Sequence, residues 1–313
     1  MQIGKVPGNI LQRSVTNIIG GAPVTARDCA AFSDDNGKRI LTNTQVGVID
    51  NALSPIFAVY KAANNIWAAG GSLMGIQAAF LLSPDAEEPE LKSLTRNVMK
   101  ACSDCHTFLS GGHTEVSDAV TRNIVTVTAI GSQTDDMHLD IRDVKPGDAI
   151  VASKWIGLEE NAYIINDTEW FKKLRQRFSE RYLEPIMNCA QWLTVAKEAE
   201  CARAFGVRAM HDVSDGGIFG ALWDMTEGSH RGIDIELKSI PIRQETVEIC
   251  TYLGINPYRM KSSGCLLMVT PDGKTLADSL QAAGIPACVI GHFTDNNDKV
   301  IRNGEESSYL ERK

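Results

Sequence analysis

The chain contains 313 residues with a formal net charge of −8, and this length predicts two domains of ordinary size, each with its own hydrophobic core. The acidic balance excludes a nucleic-acid-binding surface, because no basic cluster offsets it. No apolar run approaches the length of a membrane-spanning helix, and the amino terminus lacks the apolar core of a signal peptide. We therefore expect a cytoplasmic protein that binds neither nucleic acid nor membranes.

Helical and strand patterns alternate through the first half of the chain. Apolar spacing predicts a helix within residues 1–20, and Asp34-Asp35-Asn36-Gly37 is a strong signal for a hairpin turn. A helix is predicted to begin at Pro55, and a Gly-Gly turn is predicted at Gly111 and Gly112. Further predicted elements are strands at residues 40–44, 77–82 and 124–130 and an amphipathic helix at residues 90–105.

The second half begins after a predicted turn at residues 144–148. We place the domain boundary there, with an N-terminal domain at residues 1–147 and a C-terminal domain at residues 148–313. The remaining predicted elements are a polar helical region at residues 167–205, helices at 247–253 and 276–283, and strands at 149–152, 233–237, 265–269 and 287–290, the last of the chain. Because strands and helices mix in both halves, the sequence predicts two α/β (α+β) domains.

The eight cysteines are scattered, and in a cytoplasmic protein of this size they are predicted to be buried thiols. One group follows a known pattern, since Cys102, Cys105 and His106 spell the C-x-x-C-H sequence of haem attachment. Attachment of that kind requires export, and four close zinc ligands are not present in the sequence. Coincidence is the preferred interpretation, and a redox pair or a partial metal site is the alternative.

An anion site is predicted where an apolar run reaches His211-Asp212-Val213-Ser214-Asp215-Gly216-Gly217 and a helical pattern follows. Asp215 or Ser214 is expected to cap that helix, whose first amides and dipole attract phosphate. The glycines let a ligand approach the backbone closely. An ordinary capped strand–turn–helix connection is the alternative, but a second polar stretch with two glycines, at residues 110–115, favours a phosphorylated ligand.

Together these motifs resemble those of the aminoimidazole ribonucleotide (AIR) synthase superfamily. Its members include formylglycinamidine ribonucleotide synthetase, selenophosphate synthetase, thiamine-monophosphate kinase and the hydrogenase maturation factor HypE. Residues 211–217 are similar to the C-domain motif of the synthases, and residues 111–116 resemble the motif that ends the family's nucleotide site. Residues 124–131 match the strand that follows, and residues 4–7 resemble the amino-terminal Lys-Ile-Pro of selenophosphate synthetases.

The resemblance implies a two-domain AIR synthase-like fold in which the N-terminal sheet joins that of a second subunit, forming an intersubunit β-barrel in a homodimer. It also implies ATP near that interface, Mg²⁺ held by acidic residues, and phosphorylation or activation of a small-molecule substrate. The implied catalytic residues are Lys5, His113, Asp212 and Asp215. The implied nucleotide-binding residues are Asp28, Thr44, Asn65, Gly111, Gly112, Thr114, Gly216 and Gly217, and the implied metal ligands are Asp28, Asn65 and Glu115.

The metal side departs from the family pattern. Arg27 precedes Asp28 where family members carry paired aspartates, and Thr44 and Asn65 stand where aspartates are usual. Because Mg²⁺ prefers carboxylates, we expect its binding to be weakened, unless carboxylates such as Asp50 reach the site. The guanidinium of Arg27 either contacts phosphate directly or lies in an exposed loop.

Three functions fit this sequence. The preferred hypothesis is an ATP-dependent enzyme of the superfamily, a phosphotransferase or synthetase. The missing carboxylates favour a degenerate nucleotide-binding or scaffold member without ATP turnover, and a metal-free site for another phosphorylated ligand at residues 215–217 is the third possibility. HypE factors end in a cysteine-bearing tail, whereas this chain ends at residues 309–313 without one, and residues 3–4 lack the cysteine or selenocysteine of selenophosphate synthetases. Both departures argue against those specialised reactions.

Overall fold

The computed structural model describes Val6 and residues 8–19, 29–33, 38–133 and 139–311. Two separate β-sheets, each accompanied by helices, organise these residues. We call them the N-terminal sheet, within residues 30–133, and the C-terminal sheet, within residues 149–309. The predicted mixed α/β fold with two domains is confirmed. None of the described helices is long and apolar enough to cross a membrane.

The described part of the N-terminal sheet has five strands, which are β1 (Ala30–Ser33), β2 (Arg39–Val48), β3 (Ser72–Leu82), β4 (Leu109–Val116) and β5 (Ile124–Gln133). Their order across the sheet is β1–β2–β5–β3–β4, and only the β3–β4 pair among them is parallel. Ser33 of β1 pairs with Arg39 of β2 in an antiparallel register, as the predicted hairpin requires. The predicted turn at residues 34–37 lies outside the described residues.

Helices cover one face of the N-terminal sheet, and the described helices leave the other face open. The helices of this half are α1 (Gly8–Leu11), which continues as a π-helix (Gln12–Thr16), α2 (Ser54–Ala68) and α3 (Glu88–Asp104). Helix α2 begins with Pro55 in its first turn, as predicted. Val125, Val127 and Ala129 of β5 are fully buried beneath the helices, whereas the residues between them are half-exposed. This alternation identifies the open face.

Gly111 and Gly112 do not form the predicted turn, because both lie inside strand β4. Gly112 pairs with Ala78 of β3, and a Cβ atom at Gly112 would overlap the carbonyl oxygen of Ala78. The close approach of two parallel strands therefore explains why residue 112 is glycine. Two adjacent glycines are typical of turns, and the sequence does not show that a neighbouring strand requires one of them.

The C-terminal sheet contains seven strands within the described residues. They are β6 (Ala149–Ser153), β7 (Ala209–Asp212), β8 (Ile233–Glu236), β9 (Leu266–Thr270), β10 (Ala287–Phe293), β11 (Lys299–Asn303) and β12 (Glu306–Tyr309), in the order β12–β11–β8–β10–β6–β9–β7. The sequence predicted that β10 would be the last strand of the chain, and this prediction is wrong. The β11–β12 hairpin follows β10, and only Ile301 of that hairpin is buried, so its sequence lacks the alternation by which strands are recognised.

Seven helices are described in the second half. They are α4 (Leu158–Asn166), α5 (Thr168–Arg177), α6 (Glu180–Met187), α7 (Ala196–Phe205), α8 (Gly217–Ser229), α9 (Gln244–Leu253) and α10 (Gly273–Ala282). The predicted polar helical region at residues 167–205 consists of three helices, α5 to α7. Asp167 caps α5 and Ser179 caps α6 with side-chain oxygens, which separates helices that look continuous in the sequence.

The two halves share a buried interface along α2. Asn64 of α2 is fully buried, its Nδ2 donates to the carbonyl of Leu193 at 2.8 Å, and its Oδ1 accepts from the amide of Val195 at 3.1 Å. Arg203 of α7 donates to the carbonyl of Gly70, just beyond α2, at 3.3 Å. The C-terminal half therefore packs against α2, and the open face of the N-terminal sheet points the other way.

Candidate functional site

Most of the described candidate residues fall into two groups on opposite sides of the N-terminal sheet. Thr44, Gly111, His113 and Glu115 lie on the open face, which we call the open-face group. Asp212, Asp215, Gly216 and Gly217 lie near the contact between α2 and the C-terminal half, which we call the junction. Asn65 is buried in α2 with 7% of its surface exposed, and Thr114 points away from the open face on β4. Lys5, Arg27 and Asp28 lie outside the described residues.

Strand register brings the open-face group together. Thr44 pairs with Thr128 of β5, which pairs with Gln77 of β3, and Gln77 pairs with Gly111. The next row on the same face places Thr126 beside Ala79 and Ala79 beside His113. The hydroxyls of Thr44 and Thr128 are hydrogen-bonded to each other at 2.9 Å. These contacts form a continuous polar strip across the sheet.

His113 and Glu115 end this strip on β4. Because they are two residues apart on a strand, their side chains point to the same side, and Nε2 of His113 lies 3.0 Å from Oε2 of Glu115. Their side chains are 67% and 55% exposed, so water screens the contact and either group can turn to a ligand at little cost. A shallow cavity of about 280 Å³ adjoins them, lined by Gln77, Ala78, Ala79, Gly112, His113, Thr126 and Thr128.

The junction group is built on β7 and the start of α8. His211 and Asp212 end β7 and are buried, and Nδ1 of His211 contacts the backbone oxygen of Asp212 at 2.7 Å. The predicted N-cap at Asp215 or Ser214 is wrong, because the residue at the N-cap position of α8 is Gly216, which has no side chain that could cap the helix. Gly216 has a φ of +89°, outside the extended conformation that capping serines and aspartates adopt.

Packing within the chain explains the second glycine of this motif. A Cβ atom at Gly217 would lie 2.6 Å from the carbonyl oxygen of Tyr258. The ring of Tyr258 also stacks on that of Phe219 in α8, with 5.0 Å between the ring centroids. Gly217 therefore lets a neighbouring segment pack against the start of α8, a structural role that does not require a ligand.

Asp215 contacts Lys61 of α2, a residue that sequence reasoning missed. The Nζ atom of Lys61 lies 3.3 Å from Oδ1 of Asp215 and 2.8 Å from Oε1 of Glu159. Burial alone would lower the pKa of Lys61, but the two carboxylates outweigh it and raise that pKa. The sequence did contain a signal that Lys61 has a special role, because it is the only charged residue of α2.

The described donors do not form a magnesium site. Asn65 is buried in α2 and Glu115 lies on the open face, so the sheet stands between two of the three implied ligands. Among the described residues, no group of three His, Cys, Asp or Glu side chains is placed to hold a metal ion. Mg²⁺ needs several converging oxygens, and the described residues do not supply them.

The C-x-x-C-H pattern does not form a reactive site. Cys102 and Cys105 are both buried near the end of α3. Burial raises the pKa of the Cys102 thiol to about 11, and it also raises the pKa of Cys105. The thiolate is the reactive form, and burial disfavours it at neutral pH. The prediction that Cys102 and Cys105 are buried thiols is confirmed.

Comparisons with known proteins match both halves of the chain. The family model for the C-terminal domain of AIR synthase related proteins matches residues 145–303, and the model for the N-terminal domain matches residues 28–133. The carbamoyl dehydratase HypE of Rhizobium leguminosarum bv. viciae is 24% identical over 296 residues, covering 88% of this chain and 79% of that protein.

Solved structures of HypE share this fold. A chain in the crystal structure of a HypE–HypF complex superimposes with a TM-score of 0.80 at 17% identity, covering 97% of this chain and 99% of that one. HypE in complex with ATP superimposes with a TM-score of 0.69 at 17% identity, covering 99% of this chain and 95% of that one. At such identities the likeness shows the fold and does not by itself assign an activity.

Proposed function

Because the chain belongs to the family of AIR synthase related proteins, we propose that it binds ATP and uses it to phosphorylate or activate a small-molecule substrate. The observation that carries this proposal is a fold shared over nearly the whole chain with a HypE structure that contains ATP. The polar strip on the open face supports it, since the motif at residues 111–116 lies there.

We assign the nucleotide to the open-face group. Thr44, Thr126 and Thr128 present hydroxyl groups that can donate to phosphate oxygens, and His113 adds an imidazole. In line with the family resemblance, Lys5 would neutralise the charge of the transferring phosphate. In line with the same resemblance, Asp28 would contact the nucleotide. Because described donors do not converge on a metal, we expect ATP affinity to change little when Mg²⁺ is removed.

We assign the substrate to the junction, where Asp212 and Asp215 would face it, and we propose a homodimer. In a single chain the N-terminal sheet separates the two groups, so a second copy would have to complete the site. The open face also carries exposed apolar side chains, among them Val46 with 67% of its surface exposed. A second sheet packed over it would bury them and close the predicted intersubunit barrel. Localisation in the cytoplasm remains a prediction of the sequence.

Titration calorimetry and phosphate release test this function together. We expect wild-type protein to bind ATP with similar affinity in Mg²⁺ and in EDTA, and to release phosphate once its substrate is supplied. His113→Ala should weaken binding, whereas His292→Ala, an exposed histidine on β10, should not. Release abolished by Asp28→Ala or Lys5→Ala would support an enzyme. Binding without release would instead support the degenerate nucleotide-binding member, and absence of binding would overturn the proposal.

Light scattering after gel filtration tests the homodimer. We expect wild-type protein at twice the mass of the chain and Val46→Glu, which places a charge on the open face, at the mass of the monomer. Val289→Glu is the matched control, because Val289 is an exposed valine of the C-terminal sheet with 37% exposure. A wild-type monomer, or a dimer that Val46→Glu leaves intact, would contradict this part of the proposal.

A further inference from the structure

Lys61 contacts two carboxylates of the C-terminal half, and the two contacts differ in distance and in exposure to solvent. The contact with Glu159 is the shorter, at 2.8 Å against 3.3 Å for Asp215. The side chain of Glu159 is 4% exposed, and its second oxygen accepts a hydrogen bond from Oγ of Ser263 at 2.7 Å. The side chain of Asp215 is 45% exposed. One contact is therefore buried and braced, and the other faces solvent.

This inequality determines which contact can open. Breaking a buried ion pair leaves a charge in a poorly solvated place and is strongly unfavourable, whereas an exposed pair is weak because water screens it. If Asp215 moves away, Lys61 retains Glu159 and its buried ammonium still has a counter-charge. The cluster can therefore release Asp215 without disturbing the contact between α2 and α4.

We propose that Lys61 is a positioning residue, which holds Asp215 at the start of α8 before a ligand binds and releases it when the site is occupied. Glu159 keeps Lys61 in place throughout, so the junction stays joined while Asp215 moves. The release step rests on the proposed function, which supplies the ligand. The holding step rests only on the contacts among Lys61, Glu159 and Asp215.

Zero-length carbodiimide crosslinking tests the holding step. The carbodiimide activates a carboxyl group, a touching lysine amine attacks it to form an amide, and the reagent leaves as a urea. The ion pair of Lys299 with Glu227 is a matched control, because its distance is 3.2 Å and its side chains are 17% and 41% exposed. We expect a detectable Lys61–Asp215 crosslink without ATP, at a lower yield than that of the control, because the two carboxylates raise the pKa of Lys61 and keep its amine protonated. Absence of this crosslink while the control forms would overturn the proposal.

In the proposed homodimer, ATP held on the open face of a second copy completes the site at the junction, so the release step is tested by adding ATP at a concentration that calorimetry shows to be saturating. We expect the yield of the Lys61–Asp215 crosslink to fall by about threefold, the change that loss of an exposed ion pair predicts, while the control yield stays constant. An unchanged yield at saturation would overturn release. Failure of ATP to bind at all would overturn the proposed function together with the release step. The holding step would still be decided by the crosslink measured without ATP.

A variant separates positioning from a merely structural role. Lys61→Met alone leaves Glu159 buried without its cation, so the double variant Lys61→Met with Glu159→Gln is used to avoid misfolding. Carbodiimide labelling of Asp215 with a small added amine should become about threefold faster in the double variant. Lys61→Arg should restore the slow rate, and Lys299→Met should leave it unchanged. A labelling rate that does not respond to loss of Lys61 would refute the positioning role.

Discussion

The charged side chains of the open-face group are exposed to solvent, whereas Lys61 and Glu159 at the junction are largely buried. On the open face, the side chains of His113 and Glu115 are 67% and 55% exposed and contact each other on a sheet face that none of the described helices covers. At the junction, the side chains of Lys61 and Glu159 are 12% and 4% exposed. Water screens the first pair and leaves it free to rearrange around a ligand. The second pair is fixed by burial, so it determines geometry and contributes to the stability of the native state.

This contrast predicts where the molecule is sensitive to substitution. Changes at the junction should lower stability before they affect any ligand, because they leave buried polar groups without partners. Changes on the open face should affect binding or assembly and leave stability nearly unchanged. Unfolding in urea, compared between matched variants, separates these two outcomes.

The largest expected effect is that of Lys61→Met. Loss of the ammonium leaves Glu159 buried without a counter-charge, which should lower the free energy of unfolding by about 3–5 kcal/mol. The control is Lys92→Met, because Lys92 forms an exposed pair with Glu88 on α3, with side chains 59% and 76% exposed. That change should lower the same free energy by about 0.5 kcal/mol or less. If both variants lost the same free energy of unfolding, the ion pair at the junction would contribute no more to stability than an exposed surface pair.

Gly112→Ala should show that the N-terminal sheet is also sensitive to substitution where two strands approach closely. Its new Cβ would overlap the carbonyl oxygen of Ala78, so β3 and β4 must separate locally, and we expect a loss of about 3 kcal/mol. Gly111→Ala is the matched control, since its Cβ would meet nothing within 4 Å. Only its φ of +152° is unfavourable for alanine, which should cost about 1 kcal/mol. Urea unfolding of both variants measures the difference, and a smaller loss in Gly112→Ala would contradict the packing explanation.

Asn64→Ala should have an intermediate effect at the interface along α2. It removes the partner of both the Leu193 carbonyl and the Val195 amide, which are buried there, and we expect a loss of about 2 kcal/mol. Asn97→Ala is the control, because its bond to the carbonyl of Ala52, at 3.0 Å, is exposed to solvent. Water can replace that bond, so the loss should be within about 0.5 kcal/mol. Similar losses would mean that the interface is hydrated in solution.

Elements with a clear local pattern could be predicted from the sequence. Pro55 marks the start of α2, and the alternation of β-branched residues identifies β5. The open-face group could not be assembled in this way, because β3 lies between β4 and β5 in the sheet and the sequence predicted a turn at residues 111–112. The β11–β12 hairpin could not be predicted in this way, because nearly all of its residues are exposed and no alternation marks it.

The junction could be predicted only in part. The motif at residues 211–217 was recognised, but its partner Lys61 is 154 positions away from Asp215 in the chain. No local pattern links residues at that separation, since their contact depends on how the two halves pack. The same limit applies to Gly112 and Gly217, whose close neighbours belong to other segments.

The smallest expected effect concerns Glu160, which follows Glu159 on α4. Burial raises the pKa of Glu160, and neighbouring Glu159 acts in the same direction against the opposing charge of Lys261. A carboxyl whose pKa is raised on folding favours the native state below its unfolded pKa, near 4.3, and this contribution is lost as pH rises through the folded pKa. At neutral pH the charged form of Glu160 therefore opposes folding.

Glu160→Gln removes that charge, so the melting temperature should rise at pH 7 by about 1–2 °C and change less at pH 4, where the wild-type carboxyl is protonated. Thermal unfolding at the two pH values measures the difference. Glu305→Gln, at an exposed turn between β11 and β12, should leave the melting temperature unchanged at both. A melting temperature that falls at pH 7 in Glu160→Gln would mean that the junction needs this negative charge, and that its carboxylates are not in excess over Lys61.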